Sequence, residues 1–182
     1  MQQGDVQALA DVEREAFPND IPGTSFAREL SNRLASYLVA CISPDDLERV
    51  DGDGRQEEIV GYAGLWFIID EAHLISLAVL EAHRRRGIGR QLLIAALELA
   101  MEKQAILMTL EVRASNTAAQ ALYQQFGFSR VGIRRGYYTD NHEDAYLMTV
   151  NNIATPDFRA KLDELKASEF NAVQDWIKSK AR

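Results

Sequence analysis

The chain has 182 residues, 47% hydrophobic and 26% charged, enough for one domain with a sizeable core and too few for two. Its net charge of −7 and pI near 5.0 argue against a generic nucleic-acid binder, which presents a basic surface. A single cysteine, Cys41, excludes an internal disulfide, and no apolar run approaches the roughly 18–20 residues that span a bilayer. With no basic stretch followed by an apolar core at the N-terminus, a cytoplasmic protein that engages neither membrane nor nucleic acid is expected.

Asp5 to Ala16 carries Val6, Leu9, Ala10 and Val12 at helical spacing, and Pro18 ends that helix. Thr24 or Ser25 can cap a second helix running through Asn32, with Phe26 and Leu30 on one face. Ser36–Ile42 and Ile59–Ile69 read as strands, rich in aromatic and β-branched residues. The acidic stretch from Ser43 to Glu58 between them reads as a solvated loop, and its Asp51-Gly52-Asp53-Gly54 lacks the ligand spacing of an EF-hand. His73–Leu80 is continuously apolar at its centre, which predicts a central strand buried on both faces. After it, Leu92, Leu93, Ala96, Leu97 and Ala100 form the core stripe of a helix.

Ile106–Arg113 follows as a strand expected to run parallel to the previous one through a right-handed crossover. Asn116–Phe126 is helical and stops at Gly127; Phe128–Arg135 and Asp144–Val150 form a closing hairpin. Thr155-Pro156-Asp157 starts a last helix, with Phe158, Leu162, Leu165, Phe170, Val173, Trp176 and Ile177 at helical spacing. The organisation is therefore an α/β domain over residues 1–152 with an amphipathic helical extension over 153–182.

The turn between the central strand and its helix is His83-Arg84-Arg85-Arg86-Gly87-Ile88-Gly89-Arg90. A strand feeding a glycine turn that opens a helix leaves backbone N–H groups free where the helix dipole favours negative charge. Gly87 and Gly89 let a ligand approach the backbone, and four arginines add positive field, so a polyanion such as a pyrophosphate fits. An ordinary solvated charge run beside a plain turn is the competing reading. Neither GxxxxGK[ST] nor GxGxxG is present, position 92 being leucine.

What remains, Arg84-x-x-Gly87-x-Gly89, resembles the acyl-CoA signature of the GNAT acetyltransferase superfamily. The resemblance continues through Leu110-Glu111-Val112-Arg113-Ala114-Ser115-Asn116, Ala121-Leu122-Tyr123, Phe126-Gly127-Phe128, Arg134-Arg135-x-Tyr137-Tyr138 and Glu143-Asp144-Ala145, and is similar to the RimI branch that acetylates a ribosomal protein N-terminus. It implies a GNAT fold, a mixed central sheet with splayed parallel strands flanked by helices, and acetyl-CoA as co-substrate. It further implies that Arg84, Arg85, Arg86, Gly87, Ile88, Gly89 and Arg90 hold the pyrophosphate. Leu77, Ala78 and Val79 would offer backbone groups to the pantetheine and thioester, and Asn116 would cap its helix, bind the pantetheine arm, or both. The chain starts at its first helix, without the edge strand with which the family opens, so the expectation is either a sheet one strand short or an incomplete start.

Acetyl transfer to an amine requires taking a proton from the ammonium and giving one to the departing thiolate. The resemblance makes Glu111 the base, through a water, and Tyr123 the acid. Burial would help by raising the Glu111 carboxyl; the competing reading pairs Glu111 with Arg113 or another arginine in a structural salt bridge. Tyr123 could equally be a packed helix tyrosine. Tyr137 and Tyr138 are candidates for gripping the acceptor or for packing alone. Cys41 lies far from these motifs, against a ping-pong route, and His73, His83 and His142 are scattered without metal-ligand spacing, so no metal is expected. Acceptors other than a protein N-terminus (a lysine, a polyamine, another small amine) share these residues. So does a non-catalytic acyl-CoA sensor that uses the C-terminal helix as its partner surface.

Overall fold

Six segments pair into one sheet: β1 (Ala35–Ile42), β2 (Glu58–Ile68), β3 (Glu71–Val79), β4 (Leu107–Arg113), β5 (Ser129–Tyr138) and β6 (Glu143–Asn151). The computed structural model describes residues 1–18, 23–42 and 58–167; of the predicted features, residues 43–57 of the acidic loop and Phe170, Val173, Trp176 and Ile177 of the last helix lie outside them. The helices are α1 (Val6–Ala16), the single turn α2 (Phe26–Glu29), α3 (Ile88–Glu102) and α4 (Thr117–Gln125), and residues 156–167 are helical as well. Strand order is β1-β2-β3-β4-β6-β5, antiparallel throughout except for β3 and β4, which α3 joins as parallel neighbours.

Period-two alternation sends neighbouring side chains to opposite faces, and each face has its own core. Ala63, Leu74, Leu110 and Val112 meet Leu92, Leu93, Ala96, Leu97 and Ala100 of α3, Tyr123 of α4 and Phe126 just past its end. Tyr62 and Ala78 point the other way, onto Leu9 and Val12 of α1 and onto Phe26. The predicted stripes of α1 and α3 are therefore the buried ones. The second helix is shorter than the spacing predicts. From Ser31 onward the backbone bonds run i to i−3, and Asn32 Oδ1 accepts from Leu34 N–H at 3.1 Å, which turns the chain into β1 before a second helical turn forms.

The expectation that β3 is buried on both faces is corrected. Its ladder with β4 runs from Glu71↔Leu107 to Leu74↔Leu110 and goes no further. On its other side a register shift skips Ile75, since Leu65 faces Leu74 while Gly64 faces Ser76. Ile75 is consequently 40% exposed, and Leu77 and Val79 are half-buried. An apolar run announces burial but does not reveal where a neighbouring strand peels away. Gly61 lets β2 lie close along this segment, because a Cβ there would stand 2.7 Å from the Ala78 carbonyl oxygen.

The closing hairpin extends further than predicted, with β5 reaching Tyr138 and β6 starting at Glu143. The predicted cap of the last helix is present: Thr155 Oγ1 accepts from Phe158 N–H at 3.3 Å. This helix packs on the main core through Leu162, which is almost wholly buried, and Lys166 pairs with Glu98 of α3. Leu162→Ala is expected to cost about 2–5 kcal/mol in denaturant unfolding. A loss under about 1 kcal/mol would mean that the helix only rests on the domain.

Candidate active site

β3 ends where Leu80 N–H donates to Val60 C=O at 2.9 Å, and one 3-10 turn, Glu81–His83, follows. Arg84 Nε returns to donate to Val79 C=O at 3.1 Å, which anchors the first of the three arginines. Gly87, at φ +82, takes the left-handed conformation that sets the first turn of α3. The first bond into that helix runs from Gln91 N–H to Gly87 C=O at 3.0 Å, and no side chain caps the N-terminus. The N–H groups of Ile88 and Gly89 therefore have no intrahelical acceptor, as at any helix start. Arg85 also has positive φ, +62, a conformation that sequence reasoning assigns to glycine and that turns the chain sharply between the exposed Arg84 and Arg86.

Arg90 behaves differently from its neighbours. Its side chain leaves the turn for α4, pairing with the Gln125 side-chain oxygen and lying 5.1 Å over the Phe126 ring. Leu77, Ala78 and Val79 form the part of β3 beyond its last pairing with β4, so their backbone edge faces an opening rather than a strand.

Glu111 and Tyr123 lie on opposite faces of the sheet. Glu111 follows Leu110, the last residue of β4 paired with β3, and points away from the α3 side, where Leu110 and Val112 are buried. Tyr123 comes from α4 on the α3 side, packed beside Phe128 with ring centroids 5.7 Å apart. Burial, with a smaller contribution from nearby Tyr138, pushes the Tyr123 phenol well above its ordinary range. Asn116 caps α4, its Oδ1 accepting from Ala119 N–H at 3.1 Å.

Glu111 is part-buried and ion-paired, Arg134 Nη2 lying 3.0 Å from its Oε1. Arg113, the other arginine considered for that role, is committed elsewhere: it meets Asp140 through two parallel bonds of 3.1 Å and Glu143 at 3.4 Å. Its guanidinium also lies 3.8 Å from the centre of the Tyr138 ring. Glu143 accepts from Ser115 N–H at 2.7 Å, and the bonds from Ser115, then those from Asn141 and Arg113, hold its carboxyl down at about 2. Tyr137 stacks edge-on against Tyr138 at 5.2 Å. Glu111, Arg134 and the tyrosine pair are thus joined by direct contacts, and Tyr123 lies near enough to Tyr138 to feel its charge.

A further polar system went unnoticed in the sequence. Glu13 of α1, buried, accepts from Thr24 N–H at 2.8 Å and from the Tyr62 hydroxyl at 3.2 Å, and that hydroxyl accepts from Ser76 Oγ at 2.9 Å. It links the segment before α2 to β3 beside the skipped residue. The only sequence signal was an acid on the apolar side of α1. Among the described residues, no three His, Cys, Asp or Glu side chains are grouped to hold a metal, and no helix is long and apolar enough to cross a membrane.

The sequence pattern of the Acetyltransferase (GNAT) family matches residues 6–128. A Bacillus subtilis (strain 168) protein, provisionally named a ribosomal protein bS18-alanine N-acetyltransferase, is 37% identical over 151 residues, 82% of this chain and 91% of the relative. An N-alpha-acetyltransferase of Sulfurisphaera tokodaii is 36% identical over 157 residues, 79% of this chain and 86% of the relative. The crystal structure of the ribosomal-protein-S18-alanine N-acetyltransferase from Escherichia coli superposes with a TM-score of 0.67 at 29% identity, covering 84% of this chain and 90% of that one. The chain belongs to the GNAT acetyltransferase family. It is an N-acetyltransferase.

The depressed Glu143 carboxyl makes a pH prediction. A carboxylate whose folded pKa lies below its unfolded value of about 4.3 stabilises the fold above that value and loses the contribution as pH falls toward about 2. Glu143→Gln should therefore be less stable than the parent at pH 6, with the difference shrinking as pH falls through that window. A pH-independent difference in melting temperature would show that the Ser115 and Arg113 contacts do not act through charge.

Proposed function

We propose that this enzyme transfers acetyl directly from acetyl-CoA to the free α-amine of a protein N-terminus, in the cytoplasm. The alanine-starting ribosomal protein named for its relatives is the first acceptor to test. The observation that carries the reading is the gap between β3 and β4 beyond Leu74 and Leu110, with a carboxylate on one face and a buried phenol on the other. Such a gap lets a thioester lie within the sheet, reached from one side by the cofactor and from the other by the amine.

The residues present fit acetyl-CoA. The N–H groups at the start of α3 and the guanidinium groups of Arg84, Arg85 and Arg86 suit a pyrophosphate. The open edge of Leu77, Ala78 and Val79 suits the amides of a pantetheine arm, which can add to it as a strand would, while Asn116 keeps its NH2 group beyond the cap. When bound, acetyl-CoA supplies an activated acyl group. In this reading an N–H of the β3 edge polarises the thioester carbonyl.

The proton steps fall to two side chains. Glu111 takes the proton of the acceptor ammonium through a water; a terminal amine with a pKa of about 7.7–8.0 is already neutral to roughly a tenth at pH 7, so a weak base suffices. The amine nitrogen then bonds to the acyl carbon, the carbon–sulfur bond breaks, the Tyr123 hydroxyl protonates the departing sulfur, and the second proton of the attacking nitrogen leaves through water to restore the Tyr123 hydroxyl, while Glu111 returns its own to solvent. Burial keeps Tyr123 protonated, and the same desolvation penalises a thiolate, so the two groups stay matched. Tyr137 and Tyr138 would grip the acceptor. Cys41 sits exposed on edge strand β1, away from the opening, which suits a ternary complex rather than an acetyl-cysteine. Among the described residues the hairpin acids Asp140, Glu143 and Asp144 are each paired to an arginine, which disfavours a polycationic acceptor.

Tyr123→Phe and Glu111→Gln are each expected to lower kcat by about a hundredfold or more, with acetyl-CoA affinity by calorimetry held within about twofold. Loss of affinity with turnover retained would reverse the roles. For the acceptor, CoA thiol release should occur with an alanine-starting peptide and not with the same peptide blocked at its terminus and carrying one lysine, nor with spermidine. Silence with all three despite tight acetyl-CoA binding would favour the sensor.

A further inference from the structure

On the face that carries Glu111, two arginines flank one alanine. Arg113 of β4 and Arg134 of β5 both lie opposite Ala145 of β6, which is wholly buried and too small to separate them. Each arginine sits against a tyrosine, Arg113 at 3.8 Å from the Tyr138 ring centre and Arg134 at 5.6 Å from that of Tyr137. The two halves are built alike and charged differently. Arg113 is enclosed by the carboxylates of Asp140 and Glu143, whose side chains are 17% and 16% exposed, whereas Arg134, its side chain 54% exposed, pairs among the described residues with Glu111 alone. The neighbouring Arg135 is held by Asp144 at 2.8 Å, and Asp144 also accepts from Gly136 N–H at 2.9 Å, so the backbone beyond Arg134 is pinned while its side chain is not.

If Glu111 serves an acceptor ammonium, that cation must come to the carboxylate that Arg134 now holds. Two cations on one part-buried carboxylate repel each other, and the long exposed side chain is the one that yields. A guanidinium displaced by a few ångströms keeps Tyr137 as a stacking surface and has donors to satisfy. In a peptide, the carbonyl oxygen of the first residue lies only about 3 Å from the terminal nitrogen, by ordinary backbone dimensions. It is the acceptor atom that a protein N-terminus brings with it. A lysine side chain brings four methylenes there instead, and a polyamine brings methylenes and further cations.

We infer that Arg134 is a displaceable counter-ion of Glu111 that, on acceptor binding, donates to the first peptide carbonyl, and so determines selectivity for terminal α-amines. The inference rests on the N-terminal acetyltransferase reading above. It makes Arg134 a specificity residue acting mainly in KM, since the contact forms on binding and persists through transfer.

The test is a double-mutant cycle between enzyme and acceptor. One partner is Arg134→Gln, and the other is an alanine-starting peptide whose first peptide bond is replaced by a trans-alkene, which keeps the shape and removes the carbonyl oxygen together with the following N–H, losses common to both enzymes, so that the difference between their penalties reports the contact with Arg134. A hydrogen bond from a charged donor predicts that the alkene costs the parent enzyme about tenfold in kcat/KM, mostly in KM. Arg134→Gln should lose a similar factor on the natural peptide and should then discriminate against the alkene by less than about twofold. An equal alkene penalty in both enzymes overturns the inference, and so does a penalty under about twofold in the parent, a result that needs no variant. Arg134→Lys, which keeps one donor and the charge, should fall between the two and serves if Arg134→Gln does not fold. Failure of the underlying reading has its own signature: the natural peptide would stay unmodified while the blocked lysine peptide or spermidine is acetylated.

Discussion

The proposed chemistry depends throughout on two parallel strands that stop pairing. β3 and β4 share four ladder positions and then diverge, and the divergence converts a closed sheet into a slot with backbone on one side and side chains on the other. An unpaired strand edge inside a fold is costly unless something satisfies its N–H and C=O groups. Here the fold leaves that edge where a ligand with amides of its own can pair with it. α3 crosses from the end of β3 to the start of β4, and in the proposed reading its uncapped N-terminus also holds the pyrophosphate.

Polar contacts hold the divergence in place from both ends. On the α1 side, Glu13 and Tyr62 hold Ser76 just past the skipped residue, and Glu15 accepts from Glu81 N–H at 2.7 Å, so α1 touches both the bend in β3 and the start of the arginine- and glycine-bearing turn. On the far side, Arg113 ties the end of β4 to Asp140 and Glu143 beyond β5. Glu13 is the more exacting device. A buried carboxylate is tolerable only with its lone pairs filled, and its partners come from a loop and from β2, elements distant in the chain.

Features encoded by neighbouring residues were legible in the sequence. The glycine turn after β3, the cap at Asn116, the start at Thr155 and the core stripe of α3 each depend on residues within one or two turns of one another. Features that need strand register were not. That Ile75 is exposed depends on a skipped pairing with β2, which hydrophobicity does not record. That Glu111 meets Arg134 rather than Arg113 depends on β6 lying between β4 and β5, so the partner sits two strands away across the sheet and more than twenty residues along the chain. Arg90 carries the same lesson at a helix, since its charge belonged to the turn by position and its side chain belongs to α4 by contact.

The edge position of β5 has an evolutionary consequence. Arg134, Tyr137 and Tyr138 stand on β5, which with β6 forms a hairpin at one margin of the sheet whose strand pairing to the rest is made by β6. The turn, α3 and the inner edge of β3 lie elsewhere, encoded by an earlier and separate stretch of chain. If the proposed roles hold, drift in the hairpin retargets the enzyme without disturbing the part that handles the acyl donor, and one catalytic frame serves a lineage of proteins with different clients.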